Sequence, residues 1–257
     1  MRLTIPEPPA LGAHLDFSIQ PQPDDTTCGP TCLHAVYRYF DDPLPLDRVI
    51  RETGQLTEGG TLAVMLACHA LDRGYAARIY TYNLQVFDPT WFNDDAAEMP
   101  ARLRAQRQVK SSKRLQAATD HYLRYLDRGG ELRFEELTPA LIRRYLKRGV
   151  PILTGLSATY LYRCARERDD GTNKLVYDDI RGVPTGHFVV LCGYDPAERT
   201  VVVADPLASN PMAADHLYHV EIDRLICAIL LGVVTYDANL LILEPGRENN
   251  PGETAAT

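Results

Sequence analysis

The run HFVVLCGYDPAERTVVVADP, residues 187–206, constrains the fold more tightly than any other part of the chain. Two β-rich segments flank a polar DPAERT turn, which is the pattern of an antiparallel hairpin. In such a pair the start of the first strand lies beside the end of the second, so His187 and Asp205 are expected together at one sheet edge. Taken singly, a histidine opening an apolar strand and an aspartate before a proline are ordinary structural residues. The other histidines, His14, His34, His69, His121, His216 and His219, fall in helical patterns, in the lead-in or in polar segments, and have no comparable setting.

The rest of the pattern is α+β. Residues up to about Pro23 form a Pro-rich extended lead-in. From Gly29 a helix is signalled by Pro30 in its first turn and by Leu33, Val36, Tyr37 and Phe40 at helical spacing. That apolar stripe needs a core, so the helix is expected to be central. Asp47–Thr53 reads as a short helix closed by Gly54, and GGTLAVMLACHALDRGY as a helix with Thr61 as N-cap and Gly74 as its stop. YAARIYTYNLQVF reads as a strand. TPALIRRYLKRG is a helix capped by Thr138, with Pro139 at its first position and Gly149 past its end, and it feeds the strand VPILTGLSA.

Between about Pro89 and Gly130 the chain turns polar and helical. Residues 101–128 hold eight Lys or Arg against Asp120 and Asp127. The expected organisation is one domain over 1–244 with a helical insertion at about 89–130, covering a cleft rather than joining the core, and a frayed tail over 245–257. The basic segment admits nucleic-acid binding as a reading, but a solvated helical face or lid is the simpler one, and a formal net charge of -7 gives no global case for nucleic acid or an anionic membrane. The most apolar stretch, LICAILLGVVTY from Leu225, is far shorter than the about 20 residues of a membrane span. MRLTIPEPPALGAHLDF lacks a signal-peptide apolar run, so a cytoplasmic protein with reduced cysteines is expected.

TTCGPTCLHAVYRYF, residues 26–40, leaves four readings for Cys28: redox partner of Cys32, metal ligand, buried apolar residue, or nucleophile. CGPTC carries one residue more than a C-x-x-C redox pair, and no second pair of ligands stands at metal-site spacing. Cys32, Cys68, Cys192 and Cys227 have apolar neighbours and read as small buried hydrophobes. A thiol at a helix N-terminus faces free N–H groups and the positive end of the helix dipole, which favour thiolate. A nucleophilic thiol also needs a base and an acceptor to orient it, the roles open to His187 and Asp205.

Gln22, CGPTC from Cys28, TGHFVVLCGYD and VVVADP together resemble the peptidase C39-like branch of the papain-like cysteine peptidases. The resemblance covers about residues 15–80 and 138–207 and takes in GGTLAVMLACHALDRGY. It implies an N-terminal helix carrying the nucleophile, packed on an antiparallel sheet that carries the His and Asp. It further implies Cys28 as nucleophile, His187 as general base and acid, Asp205 as its orienter, and Gln22, six residues before Cys28, as oxyanion-hole donor. Gln20 competes with Gln22 if the lead-in bulges. No metal or other cofactor is implied. The expected activity is hydrolysis of a peptide or amide bond, with a peptide or peptide-like amide substrate as the partner and delivery of that substrate by a partner protein left open. The alternatives are acyl transfer to an amine by the same residues, and peptide binding without catalysis.

Overall fold

The computed structural model describes residues 12–57, 59–93, 96–171 and 175–246. The lead-in contributes β1 (Ala13–His14). There follow α1 (Cys28–Tyr39), α2 (Leu46–Thr53), α3 (Ala63–Asp72) and β2 (Tyr75–Thr81). Two short 3-10 turns, Pro89–Phe92 and Ala96–Glu98, lead to α4 (Met99–Val109), α5 (Lys113–Asp127) and β3 (Glu131–Arg133). The second half runs α6 (Pro139–Leu146), β4 (Ile152–Ser157), α7 (Ala158–Tyr162), β5 (Glu167–Asp169), β6 (Leu175–Tyr177), β7 (Gly186–Asp195), β8 (Thr200–Ala204), β9 (Leu217–Glu221), α8 (Ile222–Leu231) and β10 (Asn239–Pro245).

One sheet organises the described residues in the order β3-β2-β10-β4-β7-β8-β9, with β1 added to β7. Its ladders are antiparallel except for β2 with β3. The expected hairpin is β7–β8, in which Asp195 faces Thr200 across the turn. All eight inner residues of β7 are buried, which requires cover on both faces and explains a continuous apolar run where a half-wet strand would alternate. Helix α1 packs on β7, α3 on β2 and β10, and α8 on β4. Every residue of α1 from Gly29 to Tyr37 is buried, so this helix is embedded in the core.

Several boundaries follow the expected local chemistry. Thr138 Oγ1 accepts from the Leu141 N–H with Pro139 behind it, and Gly54, Gly74 and Gly149 take positive φ where their helices stop. Two expectations are corrected. Thr61 does not cap α3, which starts at Ala63 with Leu62 in the cap position and no side-chain cap bond. The strand expected to run on to Phe87 ends at Thr81, because Asn83 Oδ1 accepts from the Gln85 N–H and turns the chain.

The segment 89–130 is helical as expected, but its inner face belongs to the core. Leu103, Leu115, Ala118, Tyr122 and Tyr125 are buried, and α5 lies against α3. The Tyr125 hydroxyl lies 2.8 Å from the carbonyls of both Ala77 and Glu131, which share its one proton, and this ties α5 to β2 and β3. Its basic residues are largely spent within the chain: Arg107 pairs with Asp120, Arg124 and Arg128 with Asp72, and Arg102 with Glu98. Pro245 belongs to β10, while residues 247–257 of the expected tail lie outside the described residues. No described helix is long and apolar enough to cross a membrane.

Candidate active site

Cys28 is the half-buried first residue of α1. The helix approaches β7 closely at this end: a Cβ on Gly29 would lie 3.2 Å from Phe188 Cδ2 and 3.3 Å from Leu66 Cδ1. One turn on, the fully buried Cys32 donates its thiol to the Phe188 carbonyl of β7 at 3.3 Å, and burial pushes that thiol well up in pKa. Cys32 thus fastens α1 to the strand that bears His187. All six cysteines are free. Cys68 and Cys192 are buried as expected, but Cys227 is exposed: α8 buries Ile222, Leu225, Ala228 and Ile229, and Cys227 falls off that face.

The hairpin brings His187 and Asp205 together. His187 Nε2 lies 2.8 Å from Asp205 Oδ1, with both residues buried. A carboxylate only accepts, so Nε2 carries the proton in this bond and Nδ1 is the ring nitrogen left for the Cys28 thiol, which walls the same cavity. Burial works against a charged imidazole, but the Asp205 charge, its hydrogen bond and the contact with Cys28 outweigh it and lift His187 to about 10. For Asp205 burial again opposes ionisation, and the imidazolium with the surrounding donors holds it well below the usual carboxylate range. Those donors are the Leu207 N–H on Oδ1 at 3.0 Å and the hydroxyls of Tyr162, at 2.7 Å, and Tyr218 on Oδ2. Neither tyrosine was singled out from sequence. Tyr218 reaches Asp205 because β9 runs beside β8, and Tyr162 because α7 follows directly on β4.

Gln22 is buried and sits at the same end of the sheet, its backbone N–H donating to the Pro206 carbonyl at 2.7 Å. Its side-chain Nε2 donates to the Asp24 carbonyl at 2.8 Å, and its Oε1 is buried with no partner. Gln20 is exposed. Cys28 and His187 open into a cavity of about 330 Å³ that is walled also by Thr26, Thr61, Arg114 and Asp237. Arg114 comes from α5, the basic segment, and donates to the Thr235 carbonyl at 2.9 Å. Asp237 was not anticipated: it lies in a short connection before β10, and no local pattern marks it.

A profile of the Peptidase_C39 like family matches residues 14–221, a span that includes Gln22, Cys28, His187 and Asp205. Similar solved structures include the peptidase domain of Streptococcus ComA, a bifunctional ABC transporter involved in a quorum sensing pathway, at 12% identity over 90% of this chain and 99% of that one, with a TM-score of 0.40. Another is a double glycine motif protease from an AMS/PCAT transporter in complex with its leader peptide, at 13% identity over 91% and 94%, TM-score 0.42. A third is xylellain, a cysteine protease from Xylella fastidiosa, at 13% identity over 93% and 88%, TM-score 0.43. No curated protein matches the chain. An α+β fold with an N-terminal helix on an antiparallel sheet, matched over most of its length by that profile, makes this chain a member of the Peptidase_C39 like family of cysteine peptidases.

Proposed function

We propose that the protein hydrolyses a peptide or amide bond by acyl transfer through Cys28, His187, Asp205 and Gln22. The observation that carries this reading is the buried His187–Asp205 pair, which opens into the same cavity as a thiol at a helix N-terminus. The thiolate attacks the carbonyl carbon, and the oxyanion takes hydrogen bonds from the Gln22 amide and the Cys28 backbone N–H. His187 gives its proton to the departing amine as the C–N bond breaks, leaving a thioester on Cys28. Water then loses a proton to His187, attacks the thioester and releases the acid. Asp205 keeps the imidazole in one tautomer, and Tyr162 and Tyr218 keep Asp205 in place. Six free cysteines suit a reducing, cytoplasmic setting.

The test is covalent. Iodoacetamide near neutral pH should label Cys28, and His187→Ala should slow that labelling and abolish turnover of peptide substrates. The exposed Cys227 is the internal standard and should label equally in both proteins. Turnover that survives His187→Ala overturns the mechanism. Products formed with and without added amines separate hydrolysis from transfer, since the acyl-enzyme serves both. A chain that binds peptides but forms no thioester would be a binding module.

A further inference from the structure

Asp237 has no part in the chemistry proposed for Cys28 and His187, yet it walls the same cavity. Two glycines on neighbouring strands make room for it. A Cβ on Gly155 of β4 would come within 2.6 Å of Asp237 Cβ, and one on Gly186 of β7, next to His187, within 3.3 Å of its Oδ2. The residue is only 5% exposed, and its Oδ1 has no hydrogen-bond partner. Among the described residues it forms no ion pair. Burial raises its carboxyl to about 8, against the opposing charge of Arg114. Arg114 forms no ion pair with it: one guanidinium nitrogen donates to the Thr235 carbonyl, the group lies 5.1 Å over the Tyr236 ring, and its buried Nε has no partner.

A buried carboxyl without a partner is costly, and a notch between two strands that holds it against a substrate cavity is a built acceptor. The charge around it points the same way. At neutral pH a carboxyl raised to about 8 is largely protonated, and a cation beside it draws that proton off; the wall also carries the carboxyls of Asp25 and Glu167, and its Arg168 is already paired with Asp178 at 2.9 Å. An anionic substrate group would be repelled there, and an apolar one would leave the orphaned oxygen unpaired. A cation with N–H donors supplies both the charge and the missing hydrogen bond.

We infer that Asp237 is the specificity-determining residue of this cleft and receives a positively charged group, the ammonium or guanidinium of a basic substrate residue close to the scissile bond. The inference rests on reading the cavity as the peptide-binding cleft, so its test is a binding measurement that needs no turnover. N-acetylated, C-terminally amidated hexapeptides are made in matched pairs, with lysine or norleucine at each position in turn. They are titrated calorimetrically against the Cys28→Ala protein, with and without Asp237→Asn. At one position lysine should bind about 10- to 100-fold more tightly than norleucine, the range expected for a hydrogen bond to a charged group. Asp237→Asn, or Asp237→Ala should the first variant not fold, should remove that preference. Equal binding of the two series by the Cys28→Ala protein overturns the assignment, as does a lysine preference that survives loss of the carboxyl. Peptides that bind with the expected preference and are left uncut by the native protein would uphold Asp237 while refuting the peptidase reading.

Discussion

His187 and Asp205 stabilise each other in opposite directions on the pH scale. In the unfolded chain a histidine titrates near 6.5, at roughly the ordinary value, whereas His187 in the fold is raised to about 10. Its contribution to stability is therefore complete below about pH 6.5 and is lost as pH rises through about 10. Asp205 is depressed, so its contribution is complete above its unfolded value of about 3.9 and is lost as pH falls through the lower folded one. Both are whole between about pH 4 and 6.5. The unfolding free energy of the native protein minus that of His187→Gln, from urea titrations, should be largest near pH 5 to 6 and shrink steadily towards pH 10; a flat difference would refute the coupling. Gln22 allows a sharper separation of roles. An oxyanion donor acts only as charge develops on the carbonyl, so Gln22→Ala should lower kcat by about 100- to 1000-fold while labelling of Cys28 and the thermal midpoint stay near native. The exposed Gln20 should tolerate Gln20→Ala, and the reverse order in steady-state kinetics would move the role to Gln20.

Among the elements, α5 behaves least as its composition suggests. Apart from Arg114 its charged residues are exposed, but Tyr125 fills a fully buried slot and leaves no room for a side chain on Gly130, whose Cβ would overlap the ring. Tyr125→Ala should cost about 3–5 kcal/mol in chemical denaturation, as for other large buried aromatics, and Tyr125→Phe about 0.5–1.5 kcal/mol for its hydroxyl bonds. Replacing residues 89–130 with a Gly/Ser linker should consequently give an unfolded or aggregated chain, seen by circular dichroism and gel filtration, where a detachable lid would have left a folded one. This face was legible: Leu115, Ala118, Thr119, Tyr122 and Tyr125 follow helical spacing, but the density of Lys and Arg around them masked the period. The β7–β8 hairpin and the start of α1 were readable because strand period, turn chemistry and helix capping are local signals. Tyr162, Tyr218 and Asp237 were not, since each reaches the site through strand order and connections distant in sequence. Cys227 shows the same limit on a smaller scale: apolar neighbours in sequence say little about which way one helical residue points.

At the scale of the whole molecule, the strand that joins the two halves of the sheet is the last of the described strands in chain order. β10 lies between β2 and β4 and pairs with both, so without it β2 and β3 have no ladder to β4, β7, β8 and β9. The family profile ends at residue 221, before α8 and β10. A chain cut after Glu221 should therefore fail to give the cooperative unfolding transition of the full chain, although it keeps every residue of the proposed catalytic set. A folded monomer of that length would show that the two sheet halves hold together through their helices alone. Such an arrangement also sets a timetable. On the ribosome, Cys28 is made early, His187 and Asp205 much later, and the wall that carries Asp237 only just before the joining strand. The nascent chain can begin to assemble helix and hairpin, but it cannot close its sheet or complete its cleft until synthesis has passed residue 245. A cleft built this way is held incomplete by the order of translation itself until the joining strand has been made.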